Sequence, residues 1–165
     1  MDFQGIPLHP LVVHGTVVLT PLAALAALAF VVVGRWREPL RWPTAVLAVI
    51  AAACCWTARI TGRNLFSKLT AQGFHNKWLD IHQQRANVLV WVVLAFAVLA
   101  VVATLVVPVT AQAARQANVR TARLSASPVL VLGVRLVVVG LAIATLVYVY
   151  LTGDAGARSV WAPTS

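Results

Sequence analysis

Leu11-Val12-Val13-His14-Gly15-Thr16-Val17-Val18-Leu19-Thr20-Pro21-Leu22 opens an apolar run that continues through an alanine-rich stretch to Val33 without one Lys, Arg, Asp or Glu. At 1.5 Å per residue, a helix over that run crosses roughly 30 Å of hydrocarbon. Three more apolar runs follow: Thr44 to Ile60, Val88 to Val109 and Val129 to Leu151. Lipid offers no hydrogen bonds to the backbone, so each run is expected to satisfy its own polar groups as a helix. The 165-residue chain therefore reads as one all-α domain, an integral membrane four-helix bundle with helices at about 11–33, 44–60, 88–109 and 129–151.

Composition agrees. The chain is 61% hydrophobic and 10% charged, with a mean hydropathy of +0.87. Soluble domains are nearer half apolar, with about a quarter of their residues charged. A formal charge of +9 raises nucleic acid as a partner. The basic residues, however, sit in short segments beside the apolar runs and no nucleic-acid-reading motif accompanies them, so the lipid bilayer is the expected partner. Arg35, Arg37 and Arg41 mark the first loop, and Arg115, Arg120 and Arg123 the third. Both are expected on the cytoplasmic side, which puts both termini on the extracytoplasmic side of a multi-pass protein. Met1-Asp2-Phe3-Gln4 lacks the basic start of a secretory signal, so the first helix is expected to be retained.

Pro21 is expected to bend the first helix, while Pro43 and Pro128 read as helix starts. Cys54 and Cys55 are adjacent, point to different helix faces, and suit packing better than a disulfide or a metal. Arg135, a short way into the fourth run, is expected to snorkel to the headgroups.

The polar chemistry gathers at one end. With four helices, His9, His14, His75 and His82 fall on the same face of the membrane, together with Asp2, Asp80 and Asp154. An unpaired imidazole in hydrocarbon costs about 1–3 kcal/mol, so each needs a partner. His9 and His14 lie about 140° apart around a helix and cannot form a clamp by themselves. Two imidazoles from different helices can, however, take both axial positions of a b-type haem. His14 and His82 are the expected pair, with His9 and His75 as supports behind the ligands or as alternate ligands and Arg59 and Arg63 as donors to the propionates. Gly15 would leave room for the macrocycle. A quinol or a respiratory-chain protein would then be the partner.

Two other readings stay open. The histidines can bond to one another, to Asp80 or to carbonyls as polar glue. That makes the protein a structural or assembly subunit, or a homo-oligomer, whose tail from Gly156 to Trp161 docks on another protein. Alternatively, zinc or copper can bind His14 and His82, joined by a further histidine and Asp80 or Asp154. There is no activated nucleophile, phosphate loop or carboxylate pair, so no autonomous catalysis is expected. Thr61-Gly62 ends the second apolar run and Thr152-Gly153 the fourth, an echo expected of two hairpins related by a pseudo-twofold axis.

Pro7-Leu8-His9-Pro10-Leu11-Val12-Val13-His14, Thr61-Gly62 and the closing Thr152-Gly153-Asp154-Ala155-Gly156-Ala157-Arg158-Ser159-Val160-Trp161 together resemble a bacterial membrane family known as domain of unknown function 2231. The resemblance spans nearly the whole chain. It implies a four-helix bundle in a bacterial cell membrane, with these motifs clustered on one side. Relatives of the domain joined to cytochrome-type domains imply redox work. This chain departs from the family at Gly15, where an aromatic residue is common, and in a middle loop rich in Gln and Lys.

Overall fold

A computed structural model describes residues 2–3, 6–109 and 128–162. A short antiparallel pairing of Asp2–Phe3 with Ile6–Pro7 leads into helix α1, Leu8–Val32. A 3-10 turn, Gly34–Trp36, joins it to α2, Arg37–Ala71; α3 is Lys77–Val106 and α4 is Pro128–Trp161. All four helices are long and apolar enough to span a membrane.

At the histidine end the helices outrun the apolar segments that announce them, while at the other end α1 and α3 stop at Val32 and Val106, short of Val33 and Val109. Hydropathy marks where lipid gives way to water, whereas a nucleated helix keeps adding backbone bonds beyond that boundary. One consequence is a correction: α2 begins at Arg37, so Pro43 lies inside it and does not start it. Pro21 lies inside α1, and Pro128 does open α4. Between α2 and α3 the chain turns at Gly73, whose φ of +80° suits only glycine without strain. Asn76 then caps α3, accepting from Leu79 N at 2.9 Å, and its amide donates to Ser159 O of α4 at 2.9 Å.

Each helix packs on two neighbours, α1 and α3 each lying against both α2 and α4, while the diagonal pairs barely meet. The core is built of small residues, Ala23, Ala27, Ala48, Ala51, Ala100 and Ala142 among them, around Phe30 and Phe96. Lipid tails are as apolar as leucine, so helices associate by close packing rather than by hydrophobicity, and small side chains permit it. The larger ones, such as Val18, Trp91 and Leu136, face outward to where lipid lies.

The two hairpins bury matching positions. In α2 the buried residues are Thr44, Ala48, Ala51, Cys55, Ala58 and Thr61; in α4 they are Val138, Ala142, Thr145, Val149, Thr152 and Ala155. Each of the second set lies 94 positions after its counterpart (138 − 44 = 94). In the same way Thr20, Ala24, Ala27 and Val31 of α1 match Val93, Ala97, Ala100 and Thr104 of α3, 73 positions later (93 − 20 = 73). By this register Gly62 corresponds to Gly156, three residues along from the Thr152-Gly153 echo seen in the sequence.

Hydrogen bonds at the end remote from the histidines keep the same register. Arg41 Nε of α2 donates to Thr104 O of α3 at 2.9 Å, and Arg135 Nε of α4 donates to Val31 O of α1 at 2.8 Å. Arg135 thus spends its Nε on the last turn of a neighbouring helix, where carbonyls lack partners, and not on the headgroups alone.

Candidate functional site

His9 lies in the first turn of α1, and its ring turns toward α2. Its Nδ1 lies 3.1 Å from Ala58 O and 3.2 Å from Thr61 Oγ1. A carbonyl only accepts, and the Thr61 hydroxyl spends its own hydrogen on Thr57 O or Ala58 O, at 3.0 and 3.1 Å. Nδ1 therefore carries the proton, and in the neutral ring Nε2 keeps a lone pair. His82 of α3 repeats the arrangement: its Nδ1 donates to Thr152 O of α4 at 2.8 Å. Ala58 and Thr152 are counterparts in the register of buried faces, and so are His9 and His82 (82 − 9 = 73).

The two rings meet across the bundle. Their centres are 6.5 Å apart and their planes make an angle of 74°. Each imidazole rests on a glycine one turn beyond the carbonyl that holds it. A Cβ on Gly62 would stand 2.8 Å from His9 Cε1, and one on Gly156 would stand 3.0 Å from His82 Cε1 and Nδ1. Neither Nε2 has a hydrogen-bond partner among the described residues.

The remaining candidates fall elsewhere. His14 lies on an exposed face of α1, its Nδ1 2.6 Å from Pro10 O of the same helix, so the ring beside His82 is that of His9. Space beside Gly15 is taken by Cys54 Sγ, 3.7 Å from where a Cβ would be; this is where α1 approaches α2. His75 precedes α3, because Asn76 caps that helix, and so it does not share a helical face with His82. Its Nε2 pairs with Asp80 Oδ2 at 3.2 Å, with side chains 59% and 40% exposed, a pair worth little in water.

Arg59 Nε donates to Asn87 Oδ1 at 3.0 Å, and its guanidinium lies over Trp56. Arg63 and Gly153 are exposed. Asp154 pairs with Arg158, which covers Trp78. Trp161 stands 84% exposed at the end of α4. Among the described residues no three or more His, Cys, Asp or Glu side chains converge, so the three-histidine metal site with a carboxylate does not form.

The profile of a family described as predicted membrane protein, DUF2231, matches residues 5–164. The chain belongs to the DUF2231 family. No curated protein and no solved structure matches it. The matched segment of this DUF2231 chain contains His9, His82, Gly62 and Gly156, so the whole constellation lies within the family's extent.

The pairing of His9 with His82 follows from spacing once the buried faces of α1 and α3 are known. His9 precedes buried Thr16 by the same seven positions by which His82 precedes buried Leu89. Two helical turns carry a residue back to nearly the same face, so each histidine prolongs the buried stripe of its helix.

Proposed function

We propose that this membrane protein holds one metal centre between its two helical hairpins, with His9 and His82 as ligands. The observation that carries the proposal is the state of the two rings: each Nδ1–H is spent on a helix carbonyl, and each ring keeps an Nε2 lone pair, with the ring centres 6.5 Å apart. Metal-binding histidines are held in this way, because the outer hydrogen bond fixes the tautomer, orients the ring and raises the basicity of the ligating nitrogen. An ion bonded at ~2.0–2.1 Å to two imidazole nitrogens spaces the ring centres about 6 Å apart. The rings stand 6.5 Å apart.

Haem b is one form of such a centre. With imidazole on both axial positions its iron would pass single electrons, and a quinol or a respiratory-chain protein would be the partner. The donor pair suits that iron, but the packing suits a macrocycle less well. The Arg59–Asn87 bond ties α2 to α3 near the pair, and the space over Gly62 and Gly156 is filled by the imidazoles themselves.

The histidine end is proposed to face the extracytoplasmic side, because Arg35, Arg37 and Arg41 cluster at the other.

The test is an absorption spectrum and metal analysis of the full chain, purified in mild detergent from haem- and metal-replete cells. One centre per chain is expected, lost in His9→Ala and in His82→Ala. A wild-type load in both variants would sink the reading. A second reading, a structural or assembly subunit, draws on the exposed Val160 and Trp161. It takes the lead if the chain carries neither haem nor metal.

A further inference from the structure

Resting on that reading, we infer that the centre is a single bare copper(I) ion, held in near-linear two-coordination between His9 Nε2 and His82 Nε2. The two ligands have closely matching surroundings, differing in that His9 Nδ1 also lies 3.2 Å from Thr61 Oγ1, whose counterpart Ala155 offers His82 no hydroxyl. They occupy matching positions of α1 and α3, have the same proton placement, donate to matching carbonyls of α2 and α4, and rest on matching glycines. Two like donors, one from each hairpin, on rings whose centres are 6.5 Å apart suit a single ion between them.

Coordination number then selects the metal. Among the described residues no third His, Cys, Asp or Glu joins the pair. Zinc takes four ligands in structural sites and three protein ligands in catalytic ones, and divalent copper prefers a tetragonal set. Copper(I), with a filled d shell, is content with two nitrogens in line, and imidazole is among the ligands that suit copper.

Charge points the same way. Asp80 is engaged with His75 and Asp154 with Arg158, and among the described residues no carboxylate joins the two rings in a group of three. The desolvation penalty of an ion grows with the square of its charge, so a monovalent ion carries roughly a quarter of the penalty of a divalent one of similar size.

The experiment is an anaerobic titration of the metal-free full chain in detergent with copper(I), against a coloured copper(I) chelator, followed by X-ray absorption of the loaded protein. One copper(I) per chain is expected, with two nitrogen neighbours and no sulfur. His9→Gln and His82→Gln should each weaken binding by at least about 100-fold, since even lost outer-shell support costs 10–100-fold. Cys54→Ser and His14→Gln should leave it unchanged. Circular dichroism shows whether each variant is folded, and the wild-type absorption spectrum decides the geometry without any variant. Three or more neighbours, a sulfur neighbour, or preferential loading with zinc would overturn the copper assignment. So would a haem band that depends on His9 and His82, although that result leaves the metal-centre reading standing. Binding of neither copper, zinc nor haem would overturn both.

Discussion

The two ends of this bundle use polar side chains in opposite ways. At the arginine end, Arg41 and Arg135 each reach out of one hairpin to a last-turn carbonyl of the other. At the histidine end, His9 and His82 each donate within their own hairpin, to α2 and α4 respectively, and face each other across the gap. A guanidinium has only donors, so its lone task is to find acceptors. A neutral imidazole has one donor and one acceptor, so fixing the donor leaves a lone pair over. The arginine end therefore closes the bundle, while the histidine end keeps a reactive atom in hand. The same helix register builds both.

The sharpest way to break this contrast is to fill the space on which an imidazole rests. In Gly62→Ala the new Cβ would stand 2.8 Å from His9 Cε1, so the ring must shift, which weakens its bond to Ala58 O. Alanine gains up to about 1 kcal/mol of helix propensity over glycine, which offsets much of the weakened hydrogen bond. Global stability should thus change little, while load of the bound centre falls on the order of 100-fold. Gly156→Ala should act likewise but less severely, because its Cβ would stand 3.0 Å from the His82 ring. Loads measured beside thermal melting would check both. A variant that melts early yet keeps its load would mean that the glycines serve helix packing and not the rings.

At the other end the expected effect is on stability and not on binding. Arg41→Met and Arg135→Met keep the apolar stem but remove a charged donor from a partly buried carbonyl, a loss of about 1.5–3 kcal/mol each. Unfolding in mixed detergent would measure both, and the centre's load should stay within about twofold of wild type. If only one of the pair mattered, the matching register would describe geometry without energetic equivalence.

How much of this was legible in the chain follows from what lipid does and does not decide. A run of some twenty residues without charge has one stable form in hydrocarbon, so the four helices could be read directly. Their ends could not, because Thr61 to Ala71 and Gly153 to Trp161 are helical in a region where hydropathy has no preference. The site was half legible. Its end of the molecule, its residue type and its reach across two helices were all visible, but not which of His9 and His14 faces inward. In a soluble helix a hydrophobic stripe would answer that. Here both faces are apolar, and the informative contrast is small against large: Thr16, Thr20, Ala23 and Ala27 inside, Val18, Leu22 and Leu25 outside. The glycines were visible too, but matching Thr-Gly dipeptides aligned Gly62 with Gly153 and hid its true counterpart.

The smallest expected effect belongs to His14, and it tests the register most finely. Its counterpart in α3 is Asn87 (87 − 14 = 73), and the counterpart of Arg59 in α4 is Gly153 (153 − 59 = 94). On one side of the bundle, then, Arg59 and Asn87 form a bond from α2 to α3, while on the other the matching positions hold Gly153 and His14, and a side chain at Gly153 would meet nothing within 4 Å. With no partner across the interface, His14 turns outward and bonds to Pro10 O of its own helix. His14→Ala loses only that exposed local bond, and stability should move by less than about 0.5 kcal/mol with the load of the centre unchanged. Asn87→Ala, at the matching position, should cost about 1 kcal/mol because it strands the Arg59 guanidinium. Equal effects of the two substitutions, measured by unfolding in the same detergent, would show that the α1–α4 side is closed by His14 after all, and would return that residue to the site.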